Sequence, residues 1–318
     1  MDTDSLAERI LKGDKRGLAR AISLVESGSP KALPLLNAIY PKVGSACRLG
    51  LTGPPGVGKS TLVTEISLLL REKGNKVGII AIDPTSPFTG GALLGDRIRM
   101  QRIGLDEGIF IRSMATRGML GGIARATFQA ADLLDAAGKN YVIIETVGVG
   151  QSEVEISRAV DTTILVLSPE SGDAVQAMKA GVMEIADIVV INKADRPGAN
   201  RLEDEIRAVL ALGVKKGCEP PPIIKTEATT GAGLKELVET IEKRQADVEK
   251  LHGRDAIRHR LLAMQLKTLV ESRLHELLWS SKPIEALIKQ LIVDVEARKT
   301  SPYAIVDEIV AAFRAEEH

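Results

Sequence analysis

Eight consecutive residues, Gly53-Pro54-Pro55-Gly56-Val57-Gly58-Lys59-Ser60, carry the most specific chemistry in the chain. They fit G-x-x-x-x-G-K-[ST], a loop whose glycines let backbone N–H groups turn inward around phosphates. In that chemistry Lys59 reaches the β- and γ-phosphates and the Ser60 hydroxyl binds Mg²⁺. The amides of Gly53, Gly56, Val57, Gly58, Lys59, Ser60 and Thr61 line the cradle, and the positive end of the following helix adds to it. An ordinary glycine-rich turn would serve as well before any helix, but the flanks favour the phosphate reading. Residues 48–52 read as a short strand, and 61–71 place Leu62, Ile66 and Leu69 or Leu70 at helical spacing.

Further polar residues follow the apolar runs downstream. Asp83 ends the second run, and Asp96 lies in a glycine-rich stretch after it; carboxylates beside such a loop can hold Mg²⁺ directly or through water. Each of them, taken alone, is also a common turn or cap residue. Glu145-Thr146-Val147-Gly148 resembles a D-x-x-G phosphate sensor with Glu in the Asp place, so that Glu145 organises the metal's waters and the Gly148 amide meets the γ-phosphate. Val149 stands where Ras-like enzymes carry a water-orienting Gln, which predicts slow unaided hydrolysis.

Asn192-Lys193-Ala194-Asp195 is an N-K-x-D motif. A carboxylate at Asp195 can accept from guanine N1–H and the N2 amine, a pattern that adenine does not offer, and Asn192 can address the other edge. Ala228, after the last apolar run, occupies the place of a backbone amide for guanine O6. GTP or GDP with Mg²⁺ is therefore the expected ligand.

These residues need a scaffold that brings strand ends together. Apolar runs at 48–52, 76–82, 109–112, 141–145, 162–167, 188–191 and 223–225 alternate with helical segments, which predicts an α/β fold with a parallel sheet flanked by helices. Their near-continuous Val/Ile/Leu content suits strands covered on both faces. In such sheets the ligand lies beyond the carboxyl ends of the strands. Residues 1–44 read as an N-terminal helical arm or, equally, an added helical layer on the core; 45–245 form the nucleotide domain; 246–318 form a helical region. From the end of the nucleotide domain onward, 234–252 and 254–280 read as successive helices, Lys282-Pro283 as a break and Pro302 as the start of a final helix. The apolar stripe of the long helix predicts a homodimer, since it needs a second surface to cover it.

Composition excludes several classes. Basic and acidic residues balance at 42 each, so no overall field favours nucleic acid. The two cysteines, Cys47 and Cys218, lack metal-ligand spacing and suit a reducing compartment. No apolar run reaches the roughly 18 residues of a membrane span, and no apolar leader is evident near Met1, so a cytoplasmic protein without membrane association is expected.

Taken together, Gly53–Ser60, Asp83-Pro-Thr-Ser86, Leu94-Gly-Asp96, Arg112-Ser-Met-Ala-Thr-Arg-Gly118, Glu145-Thr-Val-Gly-Val-Gly-Gln-Ser-Glu153, Met183-Glu-Ile-Ala-Asp187 and Asn192–Asp195 resemble the MeaB/ArgK family of GTPases, in the SIMIBI class of P-loop proteins. The resemblance runs over essentially the whole chain. It implies a GTP-hydrolysing chaperone, homodimeric through its C-terminal helices, that assists cofactor loading and protection of adenosylcobalamin-dependent methylmalonyl-CoA mutase. It also implies that Lys59 and Ser60 hold phosphate and Mg²⁺, that Asp83, Asp96 and Glu145 serve the metal, and that Asn192, Lys193 and Asp195 form the guanine site. Lys179, in a segment that signals to the mutase in the family, is implied as a catalytic contributor together with Lys59 and Glu145. Two other readings compete: an ATP-driven kinase or transport-coupled ATPase, which would need adenine recognition, and a nickel-inserting GTPase, which would need Cys/His clusters.

Overall fold

The protein is represented by a computed structural model that describes residues 3–83, 101–115, 122–146, 157, 159–170, 182–213 and 219–316. The apolar runs become β1 (Cys47–Thr52), β2 (Val77–Asp83), β3 (Ile109–Ala115), β4 (Tyr141–Glu145), β5 (Thr162–Leu167), β6 (Ile188–Asn192) and β7 (Ile223–Thr226). All seven expected strands are present; β4 and β5 have the expected bounds, β2 is shifted by one residue, and the others are longer at one end. They form one sheet in the order β3-β2-β4-β1-β5-β6-β7, with every neighbouring pair parallel.

Burial explains why the strands lack a polar face. β1, β4, β5 and β6 are buried along their whole length, because helices cover both sides. Alternate side chains feed different cores: Ile79 and Ile143 pack with Leu62, Val63 and Ile66 of α4 (Lys59–Glu72), whereas Ile80, Val142 and Ile144 pack with Phe128, Leu133 and Leu134 of α5 (Gly122–Ala136). A third cluster joins Leu165, Leu167, Val189 and Ile191 to Leu202, Ile206 and Leu210 of α6 (Ala199–Gly213).

The first helices are α1 (Thr3–Leu11), α2 (Lys15–Glu26) and α3 (Ala32–Ile39). Leu6, Ile10, Leu18, Ile22, Leu35 and Ile39 are buried in the same cluster as Phe128 and Ile80. Of the two arrangements open for 1–44, the described residues form the helical layer. Each such side chain contributes about 1.5–3 kcal/mol by leaving water, which a loose arm would forgo.

The chain divides into two compact units, Met1–Gln265 and Leu266–His318. Helix α7 (Leu234–Ser280) is two helices joined at Gly253, where φ 72 and ψ 148 depart from helical values, as the sequence pattern anticipates. The second unit holds the end of α7, then α8 (Lys282–Glu296) and α9 (Pro302–Glu316). Helix α8 was not anticipated. Pro283 does not only stop one helix; it sits in the first turn of the next, where its missing N–H costs nothing, and Ser281 caps that turn by accepting from Ile284 N at 3.2 Å. The unit buries Ile284 and Leu291 but leaves Leu266, Val270, Leu274, Trp279, Val293 and Val306 exposed.

Candidate nucleotide site

Strand order places the site before any side chain is considered. β1 is central, with β2 and β3 to one side, β4 inserted between them and β1, and β5, β6 and β7 to the other, so the loop after β1 opens at the point where the strand order reverses. Gly53 leaves the strand with φ 141, and a Cβ there would lie 2.0 Å from Val166 O on β5. Gly58 enters α4 with φ 95, and its Cβ would lie 2.4 Å from Asn192 Nδ2. Both positions exclude a side chain, by conformation and by space. Lys59 is buried and donates through Nζ to Gly53 O at 2.7 Å and Pro54 O at 2.9 Å, so its ammonium spans the mouth of the loop.

Ser60, one residue on, donates through Oγ to Glu145 Oε1 at 2.7 Å, and both are buried. The sheet register produces this meeting: Glu145 lies opposite Leu51 of β1 and Ala81 of β2. Thr146 fixes the end of β4, donating through N to Leu51 O at 3.1 Å and through Oγ1 to Thr52 Oγ1 at 3.0 Å. A hydroxyl and a carboxylate brought together beside a phosphate loop form an oxygen-only donor set, which fits a hard divalent cation such as Mg²⁺. Asp83 closes β2 at the same edge of the sheet. Its side chain, together with Asp96, Gly148, Val149 and Lys179, lies outside the described residues.

The residues expected on the guanine side gather at the ends of β6 and β7. Asn192 is buried and bonded at both ends of its amide: Nδ2 donates to Val57 O at 2.8 Å, while Oδ1 accepts from Thr226 Oγ1 at 3.1 Å and Ala228 N at 3.2 Å. It ties the phosphate loop to the β7 loop, and the Ala228 amide expected to face a base is bonded to it. Lys193 adopts φ 57, which turns the chain sharply so that Asp195 follows with its side chain 51% exposed. Around these residues Glu170, just after β5, pairs with Lys193 Nζ at 3.3 Å and Arg196 Nε at 3.6 Å.

Gly53 to Thr61, Glu145, Asn192, Lys193, Asp195 and Ala228 therefore share one edge of the sheet. Sequence reasoning places Glu170 in the segment after the fifth strand, near the nucleotide, but foresees neither its pairing with Lys193 and Arg196 nor the Thr52–Thr146 bond. Both stand at the carboxyl ends of strands, where polar residues gather around a ligand, but their partners come from other strands and leave no mark on the local sequence.

Comparison with known proteins agrees with the geometry. The family described as "Methylmalonyl Co-A mutase-associated GTPase MeaB" matches residues 18–283. A Pyrococcus abyssi protein named as a GTPase is 47% identical over 96% of this chain and 95% of its own. GTPase ArgK of Escherichia coli is 46% identical over 59% of this chain and 58% of its own, and the mouse mitochondrial methylmalonic aciduria type A homolog is 36% identical over 76% and 63%. A crystal structure described as an LAO/AO transport system kinase superposes with a TM-score of 0.74 at 27% identity, covering 98% of this chain and 97% of that one.

Proposed function

We propose, for a chain that belongs to the MeaB family of GTPases, that GTP with Mg²⁺ binds at the carboxyl edge of the sheet and that its hydrolysis times a chaperone cycle on adenosylcobalamin-dependent methylmalonyl-CoA mutase. The observation that carries this reading is the meeting, on one edge, of the phosphate loop, the Ser60–Glu145 pair and the N-K-x-D segment. The mutase is suggested by the words of the family description and by the mouse relative's name.

When bound, Mg²⁺ would neutralise charge developing on the β- and γ-phosphate oxygens. Lys59 would trade its bonds to Gly53 O and Pro54 O for phosphate oxygens, while Ser60 and Glu145 turn their oxygens to the metal and its waters, alongside Asp83 and Asp96. Asp195, exposed after the Lys193 turn, is the acceptor for guanine N1–H and N2. Asn192 holds loop and base platform in one geometry. With Val149 in the place of a water-orienting Gln, the attacking water is not positioned by that segment, and Lys179 is the group that partner binding would bring in. The exposed Leu266, Val270 and Leu274, at helical four-residue spacing, support a homodimer through 246–318.

The deciding experiment measures GTP hydrolysis by the chain alone and with the mutase, and compares GTP with ATP binding. Slow hydrolysis that the mutase accelerates, with guanine preferred, supports the proposal. A fast rate indifferent to the mutase would refute the partner role, and ATP preference would instead favour the kinase class named for the structural relative.

A further inference from the structure

Lys139 lies at the pole of the sheet opposite the phosphate loop and is not used by the nucleotide chemistry. It precedes β4, whose far end carries Glu145, about 20 Å away at roughly 3.3 Å per residue. The residue is 7% exposed, and its Nζ donates to Gly108 O at 2.9 Å, a carbonyl that also accepts from Val77 N at 3.0 Å. Beside it Lys15 donates to Asp106 O at 2.8 Å, and Arg71 Nε reaches Asp106 Oδ1 at 2.9 Å. Lys76 adjoins the same corner, its carbonyl accepting from Asn140 N at 2.8 Å.

The charged groups that act on Lys139 are thus three cations, Lys15, Lys76 and Arg71, and one carboxylate, Asp106. Burial first, then the three cations, pull the Lys139 amine down from 10.5 to about 8, with Asp106 opposing. About a tenth of such an amine is free base at pH 7, against less than a thousandth for an ordinary lysine. A free amine is a nucleophile, and its cationic surroundings favour any product that carries negative charge.

We propose that Lys139 is a carbamylation site: CO₂ adds to this covered amine, and the anionic carbamate is held by Lys15, Lys76 and Arg71. The nitrogen lone pair forms the N–C bond as one C=O π pair of CO₂ moves onto oxygen. The nitrogen releases one proton to water, so that R–NH₂ + CO₂ gives R–NH–COO⁻ + H⁺, with no change of oxidation state. The remaining N–H keeps the bond to Gly108 O. Four cations facing one anion become three cations facing two. CO₂ is small, uncharged and apolar, which suits an amine only 7% exposed. Because Lys15 opens α2 and Lys76 precedes β2, the carbamate links the helical layer to the sheet edge.

The test equilibrates the full chain with isotopically labelled bicarbonate, traps carbamates with a trialkyloxonium reagent, and maps the label by peptide mass spectrometry. Label is expected on Lys139, rising as pH passes through about 8, and several-fold lower in a Lys15→Gln/Lys76→Gln variant, which carries changes only at two exposed residues. Dissolved CO₂ should raise the thermal midpoint of the parent chain and leave that of Lys139→Arg unmoved. Should Lys139→Arg not fold, trapping on the parent chain decides alone. Absence of label from Lys139, or label spread evenly over exposed lysines, overturns the proposal. So does an equal thermal gain from inorganic phosphate without label, which marks a bound anion instead.

Discussion

Asn192 Nδ2 donates to Val57 O at 2.8 Å, and the same nitrogen lies 2.4 Å from the point where a Cβ on Gly58 would stand. The strand end that leads to Asp195 and the loop that leads to Lys59 are therefore tied directly to each other. Base and phosphate ends of a nucleotide would be read by parts that are bonded to each other, because the glycine allows the amide in and the amide fills the place of the missing side chain.

Asn192→Ala should for this reason damage more than base recognition. It strips partners from Val57 O, Thr226 Oγ1 and Ala228 N, and each orphaned buried group costs about 1–3 kcal/mol. A lower melting temperature, with weakened binding of GDP and pyrophosphate alike, is expected in calorimetry. Loss confined to guanine binding would assign Asn192 to the base edge alone.

Gly53→Ala and Gly56→Ala should separate sharply. The first drives a Cβ to 2.0 Å from a backbone carbonyl, at φ 141; the second, at φ 80, meets nothing within 4 Å. Loss of more than about 4 kcal/mol is expected for Gly53→Ala and about 1–2 kcal/mol for Gly56→Ala, read from denaturant midpoints.

Ser60→Ala and Glu145→Gln should each raise the Mg²⁺ concentration that half-saturates GTP hydrolysis, by roughly tenfold or more, or about 1.4 kcal/mol. The pair is already in contact at 2.7 Å, so the double variant should show less than additive loss. A Mg²⁺ titration of the four proteins checks this, and unchanged half-saturation would remove the pair from the metal site.

Asp195→Asn should move preference from guanine to xanthine nucleotides. The side chain is half exposed, so the fold should tolerate the change. Competition binding with GDP and XDP reads the outcome; unaltered GDP affinity would take Asp195 out of the base site.

Lys139 makes a pH prediction with a definite sign. Its folded value, about 8, lies below its ordinary 10.5, so between those limits the unfolded chain holds more protons and stability rises with pH. Below about 8 both states are charged and the cost of the buried, crowded ammonium is present in full. In CO₂-free buffer the parent chain should gain stability across that window, and Lys139→Gln should flatten the gain. Parallel profiles for the two proteins would contradict the assignment.

The strands were legible because those covered on both faces are dominated by apolar residues, as at Leu49, Leu51, Ile143 and Ile164, with few polar members such as Arg48 and Thr162. The phosphate loop was legible for a related reason: its glycines answer a local demand for φ above zero and for space. The start of α8 was misjudged because Pro283 reads alike as a stop or a first turn, and only the Ser281 cap distinguishes them.

By itself the sequence determined where the strands, the loop and the N-K-x-D turn lie, since period, backbone conformation and motif spacing are properties of short stretches. Tertiary structure alone decided that α1 to α3 cover the sheet, that Asn192 grips Val57, and that Lys15, Arg71, Lys76, Asp106 and Lys139 converge. Those meetings depend on the order β3-β2-β4-β1-β5-β6-β7, which sets residues far apart in the chain side by side and leaves no trace in any local pattern.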